Sequence, residues 1–104
     1  MNSDMEKLVE KLKALANPLR LRIIASMVEE PKNVYRISKE LGLSYPLTHL
    51  HVKRLRKLGF LMETKRIEQA VGMPSQKFYA PTEFTIMVTP EIISKLVKEE
   101  GNHG

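Results

Sequence analysis

Apolar residues recur at steps of three and four through the first half of the chain, and the steps break at prolines and glycines. Met5, Leu8, Val9, Leu12, Leu15 and Ala16 form one such stripe, which predicts a helix over residues 5–16. Asn17-Pro18 ends it, because the residue before a proline is pushed out of the helical region. A second helix is expected from Pro18 to about Glu29, with Leu19, Ile23, Ile24, Met27 and Val28 on its buried face and Pro31 closing it. Asn33 is a suitable N-cap for a third, short helix through Leu41. Val34, Ile37 and Leu41 face inward there, and Gly42 sits where a C-cap glycine belongs. Ser44 caps a fourth helix that runs to Leu58. Pro46 lies in its first turn, where a missing N–H costs little, and Gly59 stops it.

The period then changes. Phe60, Leu61 and Met62 begin an extended stretch reaching about Ile67, and Gly72 and Pro74 mark residues 68–75 as a loop. Gln76 to Ala80 reads as a second strand, with Phe78 and Tyr79 as β-favouring residues and Pro81 at its end. Residues 82–88 fit two patterns: Phe84, Ile86 and Val88 alternate like a strand, while a helical turn also brings Phe84 and Val88 together. Thr89-Pro90-Glu91 starts a last helix over about residues 90–100, with the stripe Ile92, Ile93, Leu96 and Val97 and a frayed end at Gly101–Gly104. The third and fourth helices are separated only by Gly42, Leu43 and Ser44, and the fourth is strongly basic. That is the pattern of a helix-turn-helix. With the hairpin over about residues 60–80 as a wing, the fold class is mainly α with a small β-hairpin, a winged helix-turn-helix.

Composition narrows the function. The 104 residues make one domain, 1–104, and 42% hydrophobic with 28% charged residues makes it globular. The absence of cysteine excludes a disulfide scaffold, a thiolate metal site and a cysteine nucleophile. No apolar run approaches the roughly 20 residues of a membrane span. The start Met1-Asn2-Ser3-Asp4-Met5-Glu6 lacks the basic and apolar regions of a secretion signal. A cytoplasmic protein without a membrane partner is expected. The formal net charge of +5 is segregated: residues 1–30 carry net 0, residues 31–80 net +7 and residues 81–104 net −2. A domain that presents its middle to a phosphate backbone is charged in this way.

Three blocks carry a family resemblance. "ALANPLRLRIIASM" at residues 14–27, "ISKELGLSYPLTHLHVKRLRKLGFL" at 37–61 and "QKFYAPT" at 76–82 resemble the ArsR-like winged-helix transcriptional regulators. The resemblance implies a homodimer on a pseudo-palindromic operator, often a repressor of its own gene. It implies pairing through the first and last helices, here through Met5, Leu8, Val9, Leu12, Ile92, Ile93, Leu96 and Val97. The breadth of the first stripe points the same way, since so short a chain covers it poorly alone. Members that sense metal through thiolates carry them in the third helix. Val34, Tyr35, Arg36 and Ile37 stand there, so that site is absent. Leu47 and Leu50 take places usually held by Thr or Ser and by Arg or His.

The residues expected at DNA are Ser44, Tyr45, Leu47, His49, Leu50, Lys53, Arg54 and Lys57 of the fourth helix and Lys65, Arg66 and Lys77 of the wing. Lys53, Arg54 and Lys57 are phosphate anchors. Ser44 is first an N-cap, with neighbouring backbone N–H groups able to hold one phosphate. Tyr45 touches the backbone or a base edge, or covers the helix start. Leu47 and Leu50 either meet thymine methyl groups or pack against protein. His49 and His51 lie two apart on a helix and diverge, and His51, one turn before Leu55, is expected partly inward with a hydrogen bond. His103 has no partner in the sequence, and Glu29-Glu30 is solvated surface. No catalytic constellation is present: there is no Gly-rich phosphate loop or H-E-x-x-H, and Ser26, Ser38, Ser44, Ser75 and Ser94 have no evident His–acid pair. The expected protein is a sequence-specific double-stranded DNA-binding regulator, not an enzyme, binding DNA without metal or cofactor. Its effector is unnamed by the sequence. Two other classes stand beside it: a winged-helix protein–protein module, and a sequence-tolerant architectural DNA binder.

Overall fold

The computed structural model describes residues 3–73 and 75–101. In chain order these form α1 (Asp4–Leu15), α2 (Pro18–Ser26), β1 (Lys32–Asn33), α3 (Val34–Leu41), α4 (Tyr45–Lys57), β2 (Leu61–Ile67), β3 (Gln76–Pro81) and α5 (Pro90–Gly101). Side chains at the helix starts fix the boundaries. Asn17 accepts a hydrogen bond from the Leu19 N–H at 2.9 Å, Asn33 from Arg36 at 2.8 Å and Ser44 from Leu47 at 3.3 Å. Each satisfies a backbone donor that has no partner within its helix. Gly42 ends α3 at φ 65°, in the left-handed region where a side chain is strained.

The second helix is shorter than its apolar pattern predicts. It ends at Ser26, and Met27 and Val28 donate to Ile24 and Ala25 in tighter turns. Val28, expected on the buried face, is 70% exposed. The reason lies downstream. Lys32 and Asn33 pair with Tyr79 and Phe78 of β3, so the chain must be extended by residue 32. The sheet is antiparallel in the order β1-β3-β2. A two-residue strand carries no alternation, so β1 is invisible to periodicity. In the second strand, Glu63 faces Tyr79 while Lys65 faces Phe78, which leaves Thr64 as an extra residue in a β-bulge.

Ile23, Met27, Ile37, Val52, Leu55 and Phe60 are fully buried and form the core, joined by Ala14, Val34, Leu61 and Tyr79. Residues 82–88 are neither strand nor helix. They are strapped down by Thr82, whose hydroxyl donates to the Gly59 carbonyl at 2.6 Å and whose N–H donates to the Phe60 carbonyl at 3.0 Å. Phe84 then meets Phe60 edge-on, with ring centres 4.7 Å apart. This is a favoured geometry for an aromatic pair.

The terminal helices stand apart from this core. α5 packs on α1, and Ser3 bonds Glu100 at 3.4 Å, which joins the start of one to the end of the other. No residue of α5 is buried. In α1 only Ala14 is buried. Ala16, expected in the stripe, is the exposed C-cap. Gly101, expected to fray, is the last residue of α5, and His103 lies outside the described residues. The molecule measures 55 × 26 × 22 Å with a radius of gyration of 16.9 Å. A compact chain of this length has a radius near 13 Å. Its accessible surface is 7480 Å², against about 6,000 Å² for a typical monomer of this mass.

Two leucines of α4 test the core assignment. Leu55→Ala is expected to lower stability by about 2–5 kcal/mol in urea unfolding. Leu50→Ala, at a 63% exposed position, should stay within about 0.5 kcal/mol. Equal losses would contradict the packing.

Candidate nucleic-acid interface

α4 carries the basic surface because it buries so little of itself. Only Thr48, His51, Val52 and Leu55 are buried. These follow i, i+3, i+4, i+7, one narrow row. With roughly 100° per residue, Pro46, Leu50, Lys53 and Lys57 point straight away from the core. Tyr45, His49 and Arg56 lie on the flank toward the wing, and Leu47 and Arg54 on the other flank. Leu47 and Leu50 are 38% and 63% exposed, so neither packs into this chain. Tyr45 stacks on His49 with ring centres 6.1 Å apart. Arg54, Arg56 and Lys57 occupy the last turn, where cations oppose the negative end of the helix dipole.

Between the start of α4, the start of α3 and the wing runs an open cleft of about 620 Å³, lined among others by Tyr35, Tyr45, His49, Arg66, Gln69 and Lys77. A second hollow of about 270 Å³ continues it along Lys53, Arg56, Lys77 and Tyr79. The structure thus brings Tyr45, His49, Lys53, Arg66 and Lys77 around one trough. Lys65 lies over the Phe78 ring, 4.5 Å from its centre, and Lys57 and Leu50 sit on the outer crest of α4. Arg54 is half-buried on the flank away from the wing. Tyr35, Gln69 and Arg56 were not among the residues expected here. Tyr35 belongs to α3 and Gln69 to the wing loop, and only the folded chain brings them beside α4.

An acidic residue is bonded within this basic surface. Glu63 accepts from Arg66 at 3.1 Å and meets Arg56 at 3.4 Å. In a regular strand residues 63 and 66 face opposite sides. The bulge at Thr64 shifts the alternation by one and puts them on the same side. The hydrogen bond from Arg66, aided by the nearby Arg56 and Lys77 charges, holds the Glu63 carboxyl below its ordinary range. Tyr79 beneath is pushed up, mainly by burial. On the far side of α3, Lys32, 9% exposed, meets Glu40 at 2.5 Å. Arg36 bonds both Glu40 and Glu30. Glu29 and Glu30 are exposed, as solvated surface requires.

His49 is exposed and His51 is 7% exposed, so the two do diverge. His51 Nδ1 accepts from Arg20 Nε at 3.1 Å. Burial, and secondly the Arg20 charge, hold its pKa below the ordinary histidine value. Among the described residues no three His, Asp or Glu side chains gather to hold a metal ion, and no helix is long and apolar enough to cross a membrane.

Known proteins share this fold. The model of the bacterial regulatory protein, arsR family, matches residues 17–62, from the cap of α2 into β2. An uncharacterized HTH-type transcriptional regulator of Methanocaldococcus jannaschii is 33% identical over 97 residues, covering 90% of this chain and 99% of that one. The chain belongs to the ArsR family. As an ArsR-family protein it is a DNA-binding transcriptional regulator with a winged helix-turn-helix, and not an enzyme. Among solved structures, reduced HlyU from Vibrio cholerae superposes with a TM-score of 0.59 at 26% identity, over 88% of this chain and 83% of that one. NolR from Sinorhizobium fredii shares the fold with a TM-score of 0.62 at 23% identity, over 97% and 88%.

Glu63 sets up a prediction. Glu63→Gln removes the one acid bonded to Arg56 and Arg66. Fluorescence anisotropy on a mixed-sequence duplex at low salt should show tighter binding, by about three-fold or more, and a steeper salt dependence. Weaker binding would mean that the acid orients the arginines instead of masking them.

Proposed function

We propose that this ArsR-family chain acts as a homodimeric, sequence-specific repressor, with one α4 per protomer in successive major grooves of double-stranded DNA. The observation that carries the reading is the pairing of an exposed basic crest on α4 with an exposed apolar row on the terminal helices. Met5 and Leu8 of α1 and Ile92 and Leu96 of α5 are half-buried where the two helices meet. Val9, Leu12, Ile93 and Val97 are left exposed beside them. The surface excess over a typical monomer, about 1,500 Å², is larger than the roughly 800 Å² each partner buries in a standard interface. A second copy covers that row and turns the two α4 helices to one side, about 34 Å apart, matching one turn of DNA.

On that side Lys53 and Lys57, with Arg54 at the flank, meet phosphates. So do Lys65, Arg66 and Lys77 of the wing, while the N–H groups beside Ser44 receive one more. Tyr45, Leu47, His49 and Leu50 face the base edges, and Leu50, exposed at the centre of the crest, meets a thymine methyl group. Repression by occlusion needs no third surface. The exposed leucines also suit a protein-binding module, and the experiment below separates the two.

Sedimentation at micromolar concentration should give about twice 12.0 kDa, and Val9→Glu with Val97→Glu should give the monomer. A duplex selected from a random pool should retain its preference over a scrambled one as salt rises. Lys53→Gln with Lys57→Gln, two contacts in each protomer, should lower the salt slope by about 4 and weaken both duplexes alike. Leu50→Ala should weaken the selected duplex alone. A stable wild-type monomer, or no binding to either duplex, would overturn the reading and favour a partner protein. Equal binding to both duplexes with a steep salt slope would favour an architectural role.

A further inference from the structure

We infer that Arg20 is a positioning residue for the DNA-contacting helix: it holds α4 in place through the His51 imidazole, and a proton on His51 releases that hold. The inference rests on the reading of α4 as the element that contacts DNA.

Arg20 stands in the first turn of α2 and reaches two other helices. Its Nε–H donates to His51 Nδ1 of α4 at 3.1 Å, and its Nη1 donates to the Ala14 carbonyl of α1 at 3.5 Å. The Ala14 carbonyl lies in the last turn of α1, where carbonyls lack a partner within the helix. One guanidinium therefore ties the end of α1 to the buried side of α4. Arginine has donors only, so the contact exists only while Nδ1 is bare and the imidazole is neutral, with its proton on Nε2.

Protonation changes the chemistry at that point. Nδ1 becomes a donor facing a donor, and two cations stand about 3 Å apart. His51 is 7% exposed, so water does not compensate in place. The charge that acts on the ring opposes the proton. From α2, the Arg20 charge acts directly on the imidazole. From α1, the Ala14 carbonyl engages Arg20 and not the ring. On α3, Arg36 and Glu40 bond each other, and on β2 Glu63 is taken by Arg56 and Arg66. On α4 itself, Arg54 lies half-buried one turn on, and Lys53 and Lys57 are exposed.

The sign follows from the burial of the neutral ring. The folded pKa lies below the ordinary 6.5, so the hold is complete above that pH. It is lost as pH falls from there toward the depressed value. A regulator built this way has its DNA affinity weakened by acid from within its own core.

The test compares wild type, His51→Gln and Arg20→Ala on a fluorescent mixed-sequence 30-base-pair duplex at fixed low ionic strength, at pH 7.5 and 5.0. Glutamine keeps an acceptor for Arg20 and cannot take the charge. Effects common to both proteins cancel in their ratio. Wild type and His51→Gln should agree within two-fold at pH 7.5, and wild type should be at least three-fold weaker at pH 5.0. Arg20→Ala should be at least three-fold weaker than wild type at pH 7.5, and the gap should close at pH 5.0. That second comparison decides the matter if His51→Gln does not fold. Amide exchange over residues 45–57 reads the hold without DNA: at pH 5.0 wild type should lose protection relative to His51→Gln. Ratios that do not move between the two pH values would overturn the inference. Lost protection in α4 with unchanged duplex affinity would instead overturn the placing of α4 at DNA and leave the Arg20–His51 hold standing.

Discussion

The structure depends on how narrowly α4 is anchored. A helix that offers most of its circumference to a polyanion has only one row left for the core. Here that row is Thr48, His51, Val52 and Leu55. Two of the four are polar, and each is satisfied internally. The Thr48 hydroxyl donates back to the Ser44 carbonyl at 2.8 Å, and His51 is taken up by Arg20. Buried polar groups without partners are expensive, and among the described residues no buried side-chain nitrogen or oxygen is left without a partner. Val52 and Leu55 supply the apolar grip, against a core that includes Ile23, Ile37 and Phe60. The strap from Thr82 to Gly59 and Phe60 then fixes the turn that leaves the helix.

That anchoring explains which parts of the fold were legible in the residues. Caps and stops act locally, so Asn33, Gly42, Ser44 and Gly59 mark α3 and α4 almost to the residue. The long apolar stripes of α1 and α5 are equally plain. What escaped depends on distant partners. Val28 follows the apolar period of α2, yet the pairing of Lys32 with Tyr79 draws the chain out of the helix first. Residues 82–88 have no fixed period because Thr82 and Phe84 hold them through the Gly59–Phe60 turn, not through a ladder. At the candidate site, the cations of α4 and the wing could be read from charge alone. The grip of Glu63 on Arg56 and Arg66 could not, because a bulge at Thr64 creates it.

Electrostatics and shape divide the molecule by region. The middle of the chain builds a basic crest beside an aromatic and amide-lined trough. Its two ends build a neutral-to-acidic pair of helices with apolar residues in view. Neither surface is explained by the other. Together they are the two surfaces on which the proposed dimeric repressor rests. The ion pairs of Glu63 with Arg56 and Arg66 occupy that acid at the basic face, while those of Glu40 and Glu30 lie on the far side of α3.

The placing of α4 is tested most directly by its footprint on a selected duplex. Methylation protection of guanine N7 reports the major groove, and hydroxyl-radical cleavage reports the backbone. Two α4 helices, one per protomer, should protect two major-groove patches on one face of the duplex, with centres about 10 base pairs apart. Substituting Leu50 and Lys53 should remove the protection at both patches together. A single protected patch, protection confined to the minor groove, or patches unaffected by these substitutions would contradict the account.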